Sequence, residues 1–323
     1  MPEGIIPNEE LLQKATLTTG DFGGGGQAPL SIEAAQSFIE TMYMDQAILG
    51  DVRTVTSNAS KWQEAAFDFA NRIARPGTQA TRLVDADRVK PATRMVEIST
   101  VLIKGEVPVS DEVFEDNIVG ARFGQELESQ IATRFGLDVE ELLLMGDTAI
   151  GAGDPYLDLL DGWIKQAQGA GGNILNAAAD GQDYQAIMGK LLLSLPERYK
   201  RSIEADGRFY VPKRLEEKFR MQLADRGTPL GDLMLTERRS VKYQGIEIRG
   251  VPNMTIAAGT PDTGYVLLTN RNNLYAGFRR NITIEKFRDP REGATSFIIT
   301  ARVDAKIGLV NATAIATNVD VEP

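Results

Sequence analysis

The chain has no cysteine and no histidine among its 323 residues. Without cysteine there is no disulfide, no zinc–thiolate site and no thiol nucleophile. Without histidine there is no Ser-His-Asp triad and no imidazole metal ligand, and the side chain that most readily moves protons near neutral pH is missing. Carboxylate, lysine or tyrosine chemistry stays open, but we predict a protein that is not an enzyme and holds no cofactor or metal.

Long apolar runs and an excess of basic residues are also missing. No apolar segment approaches the ~18 residues of a membrane span, and the first ten residues carry acids where a secretory signal carries lysine or arginine. The 35 lysines and arginines stand against 45 aspartates and glutamates, a formal net charge of −10. Such a chain is not drawn to a phosphate backbone. We therefore expect a cytoplasmic protein with no membrane partner and no conventional nucleic-acid site.

What is present is the composition of an ordinary folded protein, 42% hydrophobic and 25% charged. Residues 1–30 are polar and contain the glycine run Gly23–Gly26, which predicts a flexible arm. Apolar residues at helical spacing predict a short helix from Ser31 to about Met44. Residues 57–94 are charged with strand-like ends, which predicts a two-stranded excursion that is marginal unless it lies on a neighbouring subunit.

The middle of the chain predicts a strand that leads into a long helix. Alternating residues predict the strand over Met95–Val109, and Ser110 followed by two acids predicts the N-cap of the helix. Gly146 is the predicted stop, and Gly136 is a candidate for a bend or a restart.

The second half mixes helices and strands and ends mostly in β-structure, so the chain as a whole predicts an α+β fold. Helical patterns cover Asp183–Arg198 and Pro212–Ala224. Strand patterns include a hairpin with Gln244-Gly245 as its turn, and they cover Arg208–Val211, Val241–Arg249, Tyr265–Thr269, Leu274–Phe278, Ile282–Phe287, Ser296–Thr300 and Lys306–Val310.

No motif defines a catalytic or ligand-binding site. The run Gly23–Gly26 lacks the strand and the Lys-Ser or Lys-Thr of a phosphate-binding loop, so a linker is favoured. Asp154, Asp158 and Asp161 lack EF-hand spacing, so a solvated loop is favoured over a cation site. For a basic cluster interleaved with acids, inter-subunit ion pairs are favoured over nucleic-acid contacts; its members are Arg271, Arg279, Arg280, Arg288 and Arg291.

The order of these features resembles the major capsid proteins of tailed bacteriophages with the Hong Kong 97-type fold. The junction from Val107 to Glu112, Val-Pro-Val-Ser-Asp-Glu, is similar to the family's entry into its spine helix. The segment from Val266 to Arg302 is similar to the family's closing pattern, and Ala312–Ala316 resembles its small-residue end. The resemblance covers residues 31–315.

This resemblance implies an α+β capsid fold in four parts. The implied parts are an N-terminal arm with a short helix (1–50), an extended β-hairpin loop (51–97), a peripheral domain with a long spine helix (98–150 and 266–302) and an axial domain (151–265 and 303–323). The implied function is self-assembly into pentamers and hexamers of an icosahedral virion shell, which encloses double-stranded DNA without sequence-specific binding. A portal and a scaffolding protein are implied partners, and a decoration protein is a further one.

The resemblance also makes charged residues of the loop and of the peripheral region candidates for inter-subunit contacts. These candidates are Lys61, Arg72, Arg75, Arg88, Lys90, Arg279, Arg280, Glu285, Arg288 and Asp289. Two other interpretations stay open at this point. An encapsulin-like shell would share the fold and enclose cargo enzymes, and a cytosolic carboxylate-dependent enzyme would show convergent acids in a pocket.

Overall fold

The computed structural model describes most of the chain between Ile48 and Val321. The described residues are 48–59, 61–68, 72–74, 76–77, 82, 84, 88, 92–110, 123–149, 154–169, 171–180, 183–224, 240–256, 263–279, 283–291 and 293–321. The predicted arm and the helix predicted over Ser31–Met44 lie outside them. Two compact units are present, the first with the described residues of Leu102–Gly136 and Asn281–Arg302, the second with those of Gln46–Val101, Leu137–Arg280 and Val303–Pro323. The domain limits drawn from the resemblance remain a prediction.

The described residues form helices and strands in mixed order, which confirms the α+β class. The strands are β1 (Arg53–Ser57), β2 (Lys61–Asp68), β3 (Ala92–Ser99), β4 (Val101–Ser110), β5 (Asn173–Asn176), β6 (Gly207–Pro212), β7 (Lys242–Tyr243), β8 (Ile246–Val251), β9 (Thr255–Ile256), β10 (Thr263–Asn270), β11 (Leu274–Arg279), β12 (Thr283–Asp289), β13 (Ala294–Ile307) and β14 (Ala314–Asp320). The α-helices are α1 (Phe123–Met145), α2 (Trp163–Ala167), α3 (Tyr184–Ser194), α4 (Glu197–Asp206) and α5 (Lys213–Ala224).

A seven-stranded sheet organises the second unit. Its strand order is β5-β14-β10-β6-β8-β7, and β9 pairs with β10. Alternate residues of the central strands, such as Phe209 and Val211, point to one face and share a core with apolar residues of α3, α4 and α5. Burying each large apolar side chain stabilises the fold by roughly 1.5–3 kcal/mol. The predicted hairpin is confirmed, since Gln244 (φ 48°) and Gly245 (φ 86°) form the two-residue turn between β7 and β8.

In the first unit, β12 and β13 form an antiparallel pair. The register runs from Thr283 opposite Thr300 to Asp289 opposite Ala294. Lys286 of β12 forms an ion pair with Glu128 of α1, and its Nζ atom lies 5.4 Å from the ring centre of Phe297. Both charged side chains are largely buried. The pair therefore fixes the N-terminal part of α1 against these strands.

The long helix α1 ends where the sequence predicts, but it does not restart in its middle. Ser110 is the last residue of β4, and residues 111–122 lie outside the described part, so the predicted start is not tested. The helix ends at Met145, and the Gly146 N–H donates to the Leu142 carbonyl at 3.0 Å. It is continuous through Gly136, so the predicted restart at Gly136 is wrong.

Three further sets of predicted limits are wrong. The helix predicted over Asp183–Arg198 is two helices, α3 and α4, because Pro196 between them has no N–H to donate and restricts the residue before it. The strands predicted over Ser296–Thr300 and Lys306–Val310 are parts of one fourteen-residue strand, β13, which ends at Ile307. The strand predicted over Met95–Val109 is divided at Thr100 into β3 and β4.

Segment 48–52, which precedes β1, is anchored deep in the second unit. Ile48 and Leu49 are fully buried, and the Ile48 N–H donates to the buried Glu140 carboxylate at 3.2 Å. Asp51 accepts hydrogen bonds from Arg208 Nε at 2.9 Å and from the Tyr210 hydroxyl at 3.2 Å. These contacts tie the entry into β1 to helix α1 and strand β6.

The ion pair of Asp51 extends to a second acid. Arg208 Nη1 lies 2.8 Å from Glu247 Oε2, so one guanidinium bridges two carboxylates that are each mostly buried. Burial, together with the neighbouring Asp51 carboxylate, raises the pKa of Tyr210, so its hydroxyl stays protonated and donates to Asp51.

Candidate assembly surfaces

Strands β2 and β3 form a two-stranded antiparallel ribbon, which confirms the predicted excursion in the part that is described. The register runs from Lys61 opposite Ser99 to Asp68 opposite Ala92, and these two strands pair only with each other among the described strands. The described residues between 69 and 91 are all exposed. Three exposed apolar side chains lie on this excursion, Ile73 (59% exposed), Val84 (67%) and Met95 (60%). An isolated ribbon with exposed apolar residues is stabilised when it lies on another surface.

The root of this ribbon, by contrast, is packed on the body of the second unit. Val96 and Ile98 of β3 and Tyr275 of β11 form a small buried cluster, against which Val55 and Trp62 pack. The guanidinium of Arg53 lies 5.0 Å from the ring centre of Tyr275 and covers one side of the cluster.

A buried carboxylate completes the root. The Ser99 N–H, at the end of β3, donates to Asp304 Oδ2 at 2.6 Å. Asp304 is almost fully buried. This burial raises the pKa of Asp304, because the lowering influence of Lys306 (3.8 Å away) and of the Ser99 and Ala305 N–H groups does not fully offset it.

Asp304→Asn is expected to stabilise the subunit at pH 7 and to lose that advantage in acid. Because the folded-state pKa of Asp304 is raised, the ionised form destabilises the fold at neutral pH, and this cost disappears as the pH falls through the raised value toward the ordinary one near 3.8. Asparagine keeps an oxygen for the Ser99 N–H without the charge. The free energy of unfolding, measured in urea between pH 7 and pH 4, should show the difference between variant and wild type shrinking with acidity.

Asp304→Ala is the matched control for that prediction. It removes the acceptor as well as the charge, and an unpaired buried N–H costs about 1–3 kcal/mol. An Asn variant that is less stable than wild type at pH 7, or a difference that does not change with pH, would contradict the assignment.

The structure places the described charged candidates of the loop at the surface. Lys61 lies 3.9 Å from Glu97 across the ribbon, and both side chains are more than half exposed, so this pair contributes little to the stability of the subunit. Arg72 and Arg88 are exposed, and Arg75 and Lys90 lie outside the described residues. The side chains of Lys61, Arg72 and Arg88 are accessible to a neighbouring chain. The role of all five candidates in contacts remains a prediction.

The charged candidates near the end of the chain are divided among several environments. Glu285 and Arg288 are exposed on β12, while Asp289 accepts a hydrogen bond from the Arg291 N–H at 2.9 Å. Arg279 donates to the Asn58 carbonyl at 3.3 Å, and Arg280 lies outside the described residues. Within the predicted basic cluster, Arg271 pairs with Asp206 of the same chain at 3.3 Å.

Sequence reasoning missed the buried ion pairs. The pairs of Glu128 with Lys286 and of Asp51 with Arg208 join residues that are more than 150 positions apart. No local pattern distinguishes these residues from exposed charges, because only the fold brings the partners together. Glu140 illustrates the same point, since the run Val139-Glu140-Glu141-Leu142 does not show that Glu140 is buried and Glu141 is not.

Neither a metal site nor a membrane span is found in the described part of the chain. No group of three acidic residues there is arranged to hold a metal ion. Of the three predicted loop acids, Asp154 accepts from the Tyr156 N–H and Asp161 from Thr148, so they stabilise the loop itself. The described helices include none that is both long and apolar enough to cross a bilayer.

Comparison of the sequence with known families gives one match that spans most of the chain. The model of the phage capsid family matches residues 28–318. A Bacillus subtilis (strain 168) protein named as a prophage capsid protein, YqbE, is 30% identical over 303 residues, which cover 92% of this chain and 94% of that protein.

Solved structures with the same fold come from several kinds of particle. The satellite phage P4 procapsid including size determination (Sid) protein contains a chain with a TM-score of 0.65 at 12% identity, covering 97% of this chain and 98% of that one. The capsid of the native GTA particle gives a TM-score of 0.60 at 14% identity, with coverage of 94% and 98%. The SrpI encapsulin complex of Synechococcus elongatus PCC 7942 gives 0.56 at 12% identity, with coverage of 99% and 98%.

At such identities the solved structures establish the fold, and the family match establishes the class of protein. The phage-capsid match covers both units, including the ribbon and its root. The chain belongs to the phage capsid family and is a capsid shell protein with the Hong Kong 97-type fold.

Proposed function

We propose that the chain is the major head protein of a tailed phage, which assembles into pentamers and hexamers of an icosahedral shell around double-stranded DNA. The observation that carries this proposal is the ribbon of β2 and β3. The ribbon is firmly packed at its root. Met95 on the ribbon, and Ile73 and Val84 on the segment between its two strands, are exposed in the single chain. In the proposed shell this ribbon lies on a neighbouring subunit, which covers those side chains.

Closed shells need many contacts, and each can be weak. When the same interface is repeated around a ring, each further contact forms at a high effective concentration. Modest pairwise affinity therefore still gives a durable shell. The exposed charges of the ribbon and of β12 suit this role, because ion pairs at the rim of an interface select partner and register more than they add affinity. We propose Lys61, Arg72, Arg88, Glu285 and Arg288 as such contacts, together with the other candidates Arg75, Lys90, Arg279, Arg280 and Asp289.

The acidic balance of the chain suits a wall that encloses DNA without holding it. A net charge of −10 gives no overall attraction to phosphate, so the packaged DNA stays free to leave. We propose assembly in the host cytoplasm before incorporation into the virion. A portal and a scaffolding protein are the proposed partners, with a decoration protein as a further one.

The contents of purified shells test this function. The chain would be expressed together with its neighbouring genes, and shells would be treated with nuclease before their contents are extracted. Protected double-stranded DNA of uniform length is the expected result. Shells that hold a single enzyme and no DNA would instead establish an encapsulin-like compartment, the alternative suggested by the likeness to the SrpI encapsulin.

A further inference from the structure

The root of the ribbon rests on one pair of residues in the sheet below it. Gly277 of β11 and Asp304 of β13 are directly opposite each other in the antiparallel register, so they face the same side of the sheet. Trp62 and Ile98 are likewise directly opposite each other in the ribbon. The ribbon pair lies over Gly277, and Ser99, the next residue, bonds Asp304. We call these five residues the root joint.

Gly277 allows an approach that any other residue would prevent. A Cβ atom added at Gly277 would lie 2.4 Å from Ile98 Cγ2 and 3.4 Å from the Trp62 ring. Carbon atoms pack at about 3.5–4.0 Å, so an alanine here must push the ribbon away from the sheet. A Cβ at Gly77, which lies between β2 and β3 in the chain, would meet no atom within 4 Å. Gly77 therefore offers a matched control.

The joint holds both strands of the ribbon by different means. Trp62 holds β2 by packing alone, because its indole N–H has no hydrogen-bond partner among the described residues. β3 is held by the apolar contact of Ile98 and by the 2.6 Å hydrogen bond from Ser99 to Asp304. Two contacts on adjacent residues of one strand fix its direction as well as its position.

We propose that Gly277 and Asp304 are positioning residues that set the direction in which the ribbon leaves the body, and thereby the curvature of the shell. The second part rests on the proposed function. A strand of eight residues is about 26 Å long at ~3.3 Å per residue, so a small tilt at the root joint becomes a displacement of several ångströms at the far end. A neighbouring subunit that holds the far end is displaced with it.

The direction of the ribbon is measured in unassembled subunits. Cysteines placed at Ile73 and Leu193, both exposed, carry spin labels at unique sites because the chain has no cysteine of its own. Gly277→Ala should shift or broaden the distance distribution between the labels, and Gly77→Ala should leave it unchanged. Ile98→Ala, added to Gly277→Ala, removes the clashing Cγ2 atom and should move the distribution back toward wild type.

A second variant tests the role of the root joint if Gly277→Ala does not fold. Trp62→Ala removes the packing without any clash and should broaden the same distribution, whereas Trp62→Phe should preserve it because no hydrogen bond is lost. A distance distribution identical to wild type in Gly277→Ala, or in Trp62→Ala if that is the variant measured, would show that the root joint does not set the direction of the ribbon.

Shell geometry, measured by electron microscopy, tests the second part. Folded Gly277→Ala subunits should give shells of altered diameter or fewer closed shells, while Gly77→Ala should match wild type. Shifted label distances with wild-type shells would overturn the link to curvature while leaving the proposed function intact. A wild-type chain that forms no shells under the same conditions would count against the proposed function, and the label distances would still decide the root joint.

Discussion

Replacing residues 69–91 with an Asn-Gly turn should abolish closed shells and leave a folded subunit. The turn would join Asp68 to Ala92, the last pair of the described ribbon, with the two residues that favour a tight hairpin. The described residues of the removed segment are exposed, so removing them takes little buried surface from the single chain. The melting temperature should change by less than about 3 °C. In the shell, the neighbour loses the part of the ribbon that would cover it.

Keeping β2 and β3 is essential to this design. A larger deletion, of Ala59–Val89, would also remove Trp62 and with it the packing of the root, so a loss of shells would then report unfolding as well as assembly. The matched control keeps the full length and changes only Ile73 and Val84 to serine. It should reduce the yield of shells without changing the melting temperature. Normal closed shells from the shortened chain would show that the ribbon is not an assembly element.

Arg208→Leu should lower the free energy of unfolding by about 3 kcal/mol, a value typical of removing one partner from a buried ion pair. The guanidinium bridges Asp51 and Glu247 at 2.9 Å and 2.8 Å. Without it, the two mostly buried carboxylates lose the cation that bridges them. The measurement is urea unfolding of the subunit at pH 7.

Two variants control for the size and the charge of that side chain. Arg208→Lys keeps the charge but not the forked geometry, so it should fall between leucine and wild type. Tyr210→Phe removes only the 3.2 Å hydrogen bond to Asp51 and should cost about 1 kcal/mol. A leucine variant as stable as wild type would mean that Asp51 does not anchor the entry into β1 through Arg208.

The elements that were predicted well are those with strong local signals. The hairpin of β7 and β8 was predicted from Gln244-Gly245, because a glycine at a tight turn accepts positive φ freely. Helix α5 was predicted over Pro212–Ala224 from a proline near its first turn, and it begins one residue later, at Lys213. The ribbon was predicted from charge and weak alternation, which are typical of strands without a core of their own.

The errors arise where tertiary pairing overrides local pattern. The segment between the two strands predicted near the end contains the charged residues Arg302 and Asp304 and was included in neither strand. In the fold, Val303, Asp304 and Ala305 are all buried, and pairing with β11 makes β13 one strand. The helix predicted over Asp183–Arg198 extended too far, since α3 ends at Ser194 and Pro196 separates it from α4.

The assembly surface was predicted from the sequence only in outline. The sequence showed a charged excursion and a basic cluster, but it did not show the root joint. No local pattern marks Gly277 or Asp304, and only the register of β11 and β13 brings them together. The exposure of Ile73 and Val84 could be recognised only once the core was known. Inter-subunit contacts are a property of several chains, so they remain predictions for the ten candidate residues.

Electron microscopy of the purified chain, expressed alone and with its neighbouring genes, shows whether it assembles through the ribbon and its root. We expect closed shells of uniform diameter, or rings of five and six subunits when the chain is expressed alone. A chain that stays monomeric under all of these conditions would contradict the assignment of the ribbon and its root to assembly.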